Sequence, residues 1–149
     1  MDGLKPHFIH NLNTEKIMVS FREVPVTIGI TAFNCEETLR KAVQSALNQR
    51  HDSVQIIIVD DCSTDNTQEL LNNDLKKIVD KLIVNEKNYG KGYSIRKGFS
   101  HANCEIILIQ DADLEYQPSD FKKLLKPIKE GLADVVYGSR FIGSNEKRI

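Results

Sequence analysis

Short apolar runs alternate with stretches in which apolar residues recur every three or four positions, from residue 26 to residue 137. Short runs rich in β-branched residues are typical of buried strands, and the wider spacing is typical of one face of a helix. The pattern predicts five strands, at 26–30, 54–59, 81–84, 105–109 and 134–137. Because helical segments and short connections separate them, we expect a doubly wound, mostly parallel α/β sheet with helices on both faces.

The helical segments carry their own start and stop signals. Asn34 followed by Glu37 has the spacing of a capping arrangement, and residues 63–66 supply cap residues for the second helix. A helix beginning at Pro118 is predicted to kink or end near Lys126, because Pro127 cannot continue the hydrogen-bond ladder. The buried faces of the first and last helices are predicted to hold Leu39, Ala42, Val43, Ala46, Leu47, Phe121, Leu124, Leu125 and Ile128.

Length and composition allow one domain of ordinary soluble type. The chain has 149 residues, of which residues 1–24 are mixed and polar and are interpreted as an extension preceding a domain at 25–149. A net charge of −1 argues against a nucleic-acid partner. No apolar run is long enough to span a membrane, and no signal peptide is visible. The three cysteines lack metal-ligand spacing and indicate free thiols in a reducing, cytoplasmic compartment.

Acidic residues follow the predicted strands at the edge where parallel sheets bind ligands. Asp111 and Asp113 leave the fourth strand two positions apart, so both can reach one hard cation, and Glu115 could add a third oxygen. Mg²⁺ and Mn²⁺ prefer such ligands and keep positions for phosphate oxygens. A solvated acidic loop is the alternative, but the apolar strand that leads into this segment favours the metal site.

Three further segments suit a nucleotide. Either Asp60 or Asp61, at the end of the second strand, could accept hydrogen bonds from a nucleobase. Residues 88–92 place two glycines at a helix start, where backbone can approach phosphate, although a plain turn explains them equally well. Arg140 follows the fifth predicted strand and could clamp a phosphate through its planar guanidinium, although a single arginine is more often a surface residue.

These segments together resemble family 2 glycosyltransferases of GT-A fold. The resemblance runs from residue 26 to residue 141 and rests on six segments: TAFNCEE (31–37), SALNQ (45–49), IIVDDCSTDNT (57–67), NYGKG (88–92), DADLE (111–115) and GSRF (138–141). DADLE and GSRF are similar to the branch of dolichyl-phosphate mannosyltransferase and bacterial polyprenyl-phosphate sugar transferases. Two positions differ from the family pattern, with Thr31 at a usual proline and Cys35 at a usual glutamate.

The resemblance implies an inverting transfer of a sugar from a UDP- or GDP-sugar, with Mn²⁺ or Mg²⁺, to a polyprenyl or dolichyl phosphate at a membrane surface. Asp111, Asp113 and Glu115 are then the metal ligands, and Asp111, Asp113 and Arg140 serve the reaction. The expected donor-binding residues are Thr31, Ala32, Phe33, Glu36, Asp60, Asp61, Asn88, Gly90, Lys91, Asp111, Ala112 and Asp113. Family members continue well past residue 149, so we expect the acceptor-binding part to be missing from this chain.

Other functions fit parts of the pattern. Transfer to a sugar or protein hydroxyl would need an additional base carboxylate. A phosphoryl-accepting signalling domain would need its acidic pair after the first strand, which here continues into Thr31-Ala32. A nucleotidyltransferase would need a glycine-rich basic loop at that point. A non-catalytic nucleotide-binding fragment stays possible on the sequence alone.

Overall fold

The computed structural model describes residues 24–49, 54–115 and 118–138. Four strands form one parallel sheet in the order β3-β2-β1-β4: β1 Val26–Ala32, β2 Val54–Asp60, β3 Lys81–Val84 and β4 Ile106–Asp111. The helices are α1 Leu39–Asn48, α2 Thr67–Leu70 followed by a π-helical turn Leu71–Leu75, α3 Lys91–Phe99, and α4 Phe121–Lys129 after a 3-10 turn Pro118–Asp120. The predicted α/β class and parallel sheet are confirmed.

The chain reverses direction across the sheet at β1. It moves outward from β1 to β2 and β3, and then returns to place β4 on the other side of β1. Thr31 is in register with Val59 of β2 and Asp111 of β4, so the carboxyl ends of the three strands lie side by side. Such a reversal leaves a crevice beyond the strand ends, which is where ligands bind in open α/β sheets.

One face of the sheet carries the main core. Alternate residues of the strands, such as Ile28, Ile30, Ile56 and Ile58, are almost fully buried against α1, the π-helical turn and α4. The predicted apolar face of α1 is confirmed: Leu39, Ala42, Val43 and Ala46 are buried, and Leu47 packs against the core. This continuous aliphatic layer makes the sheet a rigid base for the loops at its edge.

Helix α3 covers the other face, where the core is smaller. Ile57, Val59 and Ile83 form that cluster, and Gly98 lets the helix come close to β2. A Cβ at Gly98 would lie 3.3 Å from Cγ2 of Val59. Helices on both faces, as predicted, follow from the reversal at β1, because right-handed crossovers in opposite directions fall on opposite faces.

The predicted fifth strand at 134–137 is wrong. Those residues form no regular element, and Tyr137 is 89% exposed. Their apolar composition resembles a strand, but a strand needs a hydrogen-bonded neighbour, and no described strand pairs with this segment.

Two predicted helix ends are also wrong. Helix α4 was predicted to kink or end near Lys126, and it does not end there: it continues through Pro127 to Lys129, where Leu124, Leu125 and Ile128 pack against the core. Helix α1 begins at Leu39 with no side-chain cap. Asn34 does not cap it; its side-chain oxygen accepts a hydrogen bond from the Thr64 backbone N–H at 2.8 Å.

The close approach of α3 gives a test. Gly98→Val should destabilise the protein relative to Gly92→Val by about 1–3 kcal/mol, the usual cost of overpacking a core. Both glycines lie in α3, so the change in helix propensity is similar, but Gly92 is exposed and its nearest neighbour is the end of the Arg96 side chain, 3.8 Å from an added Cβ. Urea unfolding of the two variants measures the difference, and equal stability would show that α3 does not pack tightly on β2.

Candidate active site at the carboxyl edge of the sheet

The loops after β1, β2 and β4 and the turn before α3 enclose a pocket of about 280 Å³. Its lining comprises Thr31, Ala32, Phe33, Cys35, Asp61, Asn88, Gly90, Lys91, Asp111, Ala112 and Asp113. Every predicted donor-binding residue except Glu36 and Asp60 therefore lies at this one place. The chain reversal at β1 explains why segments 80 residues apart in sequence meet there.

Asp61 is the most constrained residue of the pocket. It is 4% exposed, and its carboxylate accepts hydrogen bonds from Tyr89, Gly90, Asn85 and Ser94. The backbone N–H groups of Tyr89 and Gly90 donate at 3.0 and 2.7 Å, and the Asn85 side-chain amide donates at 2.7 Å. Gly90 has φ of +86°, a conformation that glycine adopts without steric cost. The Asp61 carboxylate thus fixes the turn that starts α3.

These donors also set the charge state of Asp61. Burial is the largest influence and by itself raises the pKa of the carboxyl group. The hydrogen bonds from Tyr89, Asn85, Gly90 and Ser94 together outweigh it, so the pKa lies below its ordinary value of 3.8. Asp61 is therefore ionised at neutral pH, and its folded environment favours the charged form.

Asp111 and Lys91 form an ion pair across the pocket. Lys91 Nζ lies 2.5 Å from Oδ2 of Asp111, whose side chain is 12% exposed. The other oxygen, Oδ1, is buried and has no hydrogen-bond partner within the described residues. A buried carboxylate oxygen without a donor is costly, and a hard cation is the natural partner for it.

Asp113 lies beside Asp111 in the pocket lining, but it is exposed. Its Oδ1 accepts a hydrogen bond from the backbone N–H of Glu115 at 3.1 Å. Within the described ranges, no three His, Cys, Asp or Glu side chains come together as a metal site, so the predicted set of Asp111, Asp113 and Glu115 is not assembled. Asp111 and Asp113 fit a divalent cation that takes its other ligands from phosphate and water.

Asp60 and Glu36, which we predicted as binding residues, do not line the pocket. Asp60 is fully buried, and both its oxygens accept hydrogen bonds from Ser63, one from the hydroxyl and one from the backbone N–H. Glu36 accepts a hydrogen bond from the Asn66 backbone N–H at 2.8 Å, and its own N–H donates to Asp65. Asp60 and Glu36 therefore stabilise the loops that form the walls of the pocket.

Each of the three loops that follow β1, β2 and β4 contains a non-glycine residue with positive φ: Asn34, Cys62 and Leu114. Such conformations cost roughly 1–3 kcal/mol each and persist only where the surroundings impose them. Here the first two loops are cross-linked, since the Asn34 N–H donates to the Ser63 hydroxyl and the Cys35 N–H to the Thr67 hydroxyl, both at 2.9 Å. Strained, cross-linked loops around one pocket are typical of a preorganised binding site.

Cys35 lines the pocket but was not among the predicted site residues. Burial, the largest influence, raises the pKa of its thiol, so the group is neutral at neutral pH. In the sequence, the only indication that Cys35 lies at the pocket was its position between Asn34 and Glu36. Arg140 lies outside the described residues, and the structure therefore gives no account of it.

The sheet order and the acidic pocket at the chain reversal define the GT-A fold. Glucosyl-3-phosphoglycerate synthase from Mycobacterium tuberculosis, solved with Mn²⁺, UDP and glucosyl-3-phosphoglycerate, superimposes with a TM-score of 0.59 over 70% of this chain and 39% of that one. At 19% identity this likeness shows the fold alone. The described residues contain no helix that is long and apolar enough to cross a membrane.

Residues 27–149 match the model of glycosyl transferase family 2, and the chain belongs to that family. Dolichol-phosphate mannosyltransferase of Pyrococcus furiosus is 30% identical over 118 residues, covering 78% of this chain and 33% of that protein. Dolichyl-phosphate beta-glucosyltransferase of Trichomonas vaginalis is 31% identical over 138 residues, covering 84% and 43%. The predicted resemblance to this branch is confirmed, and the chain spans less than half the length of either relative.

The pKa of Asp61 predicts an acid-labile fold. Because the folded pKa is lowered, the stabilisation is complete above about pH 3.8 and is lost as the pH falls through the folded value. Asp61→Asn should lower the free energy of unfolding at pH 7 by about 1.5–3 kcal/mol and flatten its dependence on pH below 5. Urea unfolding from pH 3 to pH 7 measures both effects.

Asp74→Asn is the matched control, because Asp74 pairs with Arg40 on the exposed surface. We expect that variant to follow the wild-type pH profile closely. If the two variants behave alike, the turn at Tyr89–Gly90 does not depend on the Asp61 charge.

Proposed function

We propose that this chain is the donor-binding domain of a metal-dependent, inverting glycosyltransferase that moves a sugar from a UDP- or GDP-sugar to a polyprenyl or dolichyl phosphate. The observation that carries the proposal is the pocket in which Asp111, Asp113, Lys91 and Asp61 converge beyond the strand ends. It offers carboxylates for a cation, an ammonium group for phosphate, and a buried acceptor for a nucleoside. Residues 25–149 constitute this domain in the proposal.

The nucleoside would lie between Phe33 and the turn held by Asp61. Phe33 is 47% exposed at the pocket, so its ring offers an apolar surface for a flat base. Asp61 is ionised and buried, and a carboxylate in that state accepts strong, charge-assisted hydrogen bonds. Gly90 has no side chain to block the approach of a ligand to the backbone, and an added Cβ there would meet open space.

The diphosphate would lie between Lys91 and the Asp111–Asp113 pair. A divalent cation bound there, Mn²⁺ or Mg²⁺, would neutralise charge on the departing diphosphate. Without a ligand, the Lys91 ammonium group forms an ion pair with Oδ2 of Asp111. Its flexible side chain can turn from Asp111 to a phosphate oxygen. Asp111 then presents both oxygens, including the buried Oδ1 that has no donor within the described residues. The presence of Mn²⁺ and UDP in the mycobacterial synthase supports this assignment.

The acceptor is proposed from the two named relatives, whose names specify dolichol phosphate and dolichyl phosphate. A lipid phosphate is already ionised near neutrality and can attack the sugar without a general base. That chemistry agrees with a pocket whose three acids are accounted for, Asp111 and Asp113 by the proposed cation and Asp61 by the turn. In this proposal the protein acts at the cytoplasmic face of a membrane, as a peripheral protein.

A second acceptor class is favoured by one observation. The synthase that shares the fold was solved with glucosyl-3-phosphoglycerate, which is not a lipid. Transfer to a hydroxyl group is therefore the alternative, and it requires a base carboxylate in addition to those described here.

The metal assignment predicts cation-dependent nucleotide binding. UDP or GDP should bind in the presence of Mn²⁺ and at least tenfold more weakly with EDTA, because Asp111 and Asp113 otherwise repel the diphosphate. Asp113→Asn should remove most of that cation dependence and leave thermal stability unchanged, since Asp113 is exposed. Isothermal titration calorimetry with each nucleotide measures both the affinity and its dependence on the cation.

The control is Asp134→Asn, because Asp134 is an exposed acid outside the pocket lining. This variant should bind as the wild type does. Equal affinity with and without EDTA contradicts the assignment.

The acceptor assignment predicts a selective effect at Arg140, whose role rests on the sequence. Arg140→Lys should reduce transfer to a polyprenyl phosphate about tenfold or more, because a point charge replaces a bidentate guanidinium, while UDP or GDP binding stays near normal. Sugar transfer to a short polyprenyl phosphate by the full-length enzyme of which this chain is proposed to be the donor-binding domain, followed by mass spectrometry, measures the effect. Arg40→Lys, on the surface of α1, is the control. Normal transfer by Arg140→Lys, or a preference for hydroxyl acceptors, contradicts the lipid-phosphate assignment.

A further inference from the structure

A buried polar network lies directly beneath the pocket and is centred on Asn85. This residue follows β3 and is 2% exposed. Its side-chain amide nitrogen donates to Oδ1 of Asp61 at 2.7 Å and to the Ser94 hydroxyl at 2.9 Å. Its side-chain oxygen accepts a hydrogen bond from Lys97 Nζ at 3.0 Å. Both ends of the amide are therefore engaged, and its backbone N–H donates to the Asp60 carbonyl at 2.8 Å.

The partners of Asn85 fix which way its amide points. Lys97 has only donors, so it must face the amide oxygen, and ionised Asp61 has only acceptors, so it must face the amide nitrogen. A flipped amide would set donor against donor and acceptor against acceptor. Aspartate has the same shape as asparagine but lacks the donor, and a carboxylate at this position would meet that of Asp61.

The geometry of Asp61 depends on this arrangement. Oδ1 accepts hydrogen bonds from Asn85 and from the Tyr89 N–H, and Oδ2 accepts one from the Gly90 N–H. A carboxylate has about four acceptor positions, and the Ser94 hydroxyl is a fourth donor to Asp61. Asp61 lines the pocket, so these hydrogen bonds set the orientation in which its carboxylate faces a ligand there.

We infer that Asn85 is a positioning residue for the donor site: held by Lys97 and Ser94, it orients the Asp61 carboxylate so that Asp61 holds the Tyr89–Gly90 turn and faces the nucleoside in one fixed orientation. The inference rests on the proposed function for its last part only. Its first part, the hold on the turn, concerns the ligand-free protein.

The turn provides a readout that general stability would not change. Amide protons that donate to a buried carboxylate are protected from exchange, and here they belong to Tyr89 and Gly90. In Asn85→Asp, protection of these two amides should fall about tenfold to a hundredfold, in line with the loss of a charge-assisted hydrogen bond. The Asp61 N–H, which donates to the Ala32 carbonyl at 2.8 Å in the sheet, should keep its protection. Hydrogen exchange followed by NMR on the ligand-free chain measures all three.

The same variant tests the link to the nucleoside. With Mn²⁺ present, Asn85→Asp should bind UDP or GDP about tenfold or more weakly, and uridine or guanosine should lose the same factor, because the cation site is untouched. Asn72→Asp is the matched control, since the Asn72 side-chain amide bonds only the Gln68 carbonyl on the exposed surface. If Asn85→Asp fails to fold, Lys97→Met provides the second test. It leaves Asn85 in place but removes the donor that sets the amide orientation, so the effects should have the same direction and be smaller.

The outcomes separate the inference from the function on which it partly rests. Unchanged protection at Tyr89 and Gly90 in both variants overturns the positioning role. Lost protection with unchanged nucleoside affinity shows that Asn85 holds the turn but does not prepare the site, and the inference fails in its second part. A wild-type chain that binds no nucleotide overturns the proposed function, while the exchange data still decide whether Asn85 positions Asp61.

Discussion

The buried carboxylate of Asp61 and its hydrogen bonds to the Tyr89 and Gly90 backbone are the interaction on which the site depends. Asp61 directly follows β2 and the turn begins α3, so these bonds join the carboxyl end of β2 to the start of α3. The charge persists in a buried position because donors surround it, and this lowers its pKa although burial raises it. Fixing the turn also fixes Lys91, the next residue, whose ammonium group then reaches Asp111 on β4.

A carboxylate lies on each side of the pocket, and the two differ in their hydrogen bonding. Both oxygens of Asp61 accept hydrogen bonds, from the turn and from Asn85. Only one oxygen of Asp111 has a partner among the described residues, which is Lys91. Fully bonded polar groups hold a structure rigid, whereas a buried oxygen without a partner favours binding of a ligand. The contrast separates two aspartates that the sequence presents alike: Asp61 stabilises the wall of the pocket, and Asp111 has a buried oxygen without a donor among the described residues.

The sheet holds the loops of the pocket in fixed positions. Aliphatic residues fill the face of the sheet that packs against α1 and α4, and the register Thr31–Asp111 aligns the strand ends. The loops can then sustain positive φ at Asn34, Cys62 and Leu114, because rigid strands and cross-links between loops hold them in place. The cost of that strain is met by the core and not by the loops themselves. The arrangement suits a site that must be preformed before a charged ligand arrives.

The sequence by itself determined the class of fold, the four described strands and the place of the pocket, because these follow from local periodicity and from the rule that parallel strands present their ends at one edge. It also predicted Asp61, Lys91 and Asp111 as site residues, and the structure brings these three into the lining of one pocket. Only the tertiary structure decided that Asp60 supports a turn, that Cys35 lines the pocket, that Asn85 orients Asp61, and that residues 134–137 have no strand to pair with. The physical reason is the same in each case: side-chain direction, hydrogen-bond partners and strand pairing are set by residues distant in the sequence, and no local pattern contains them.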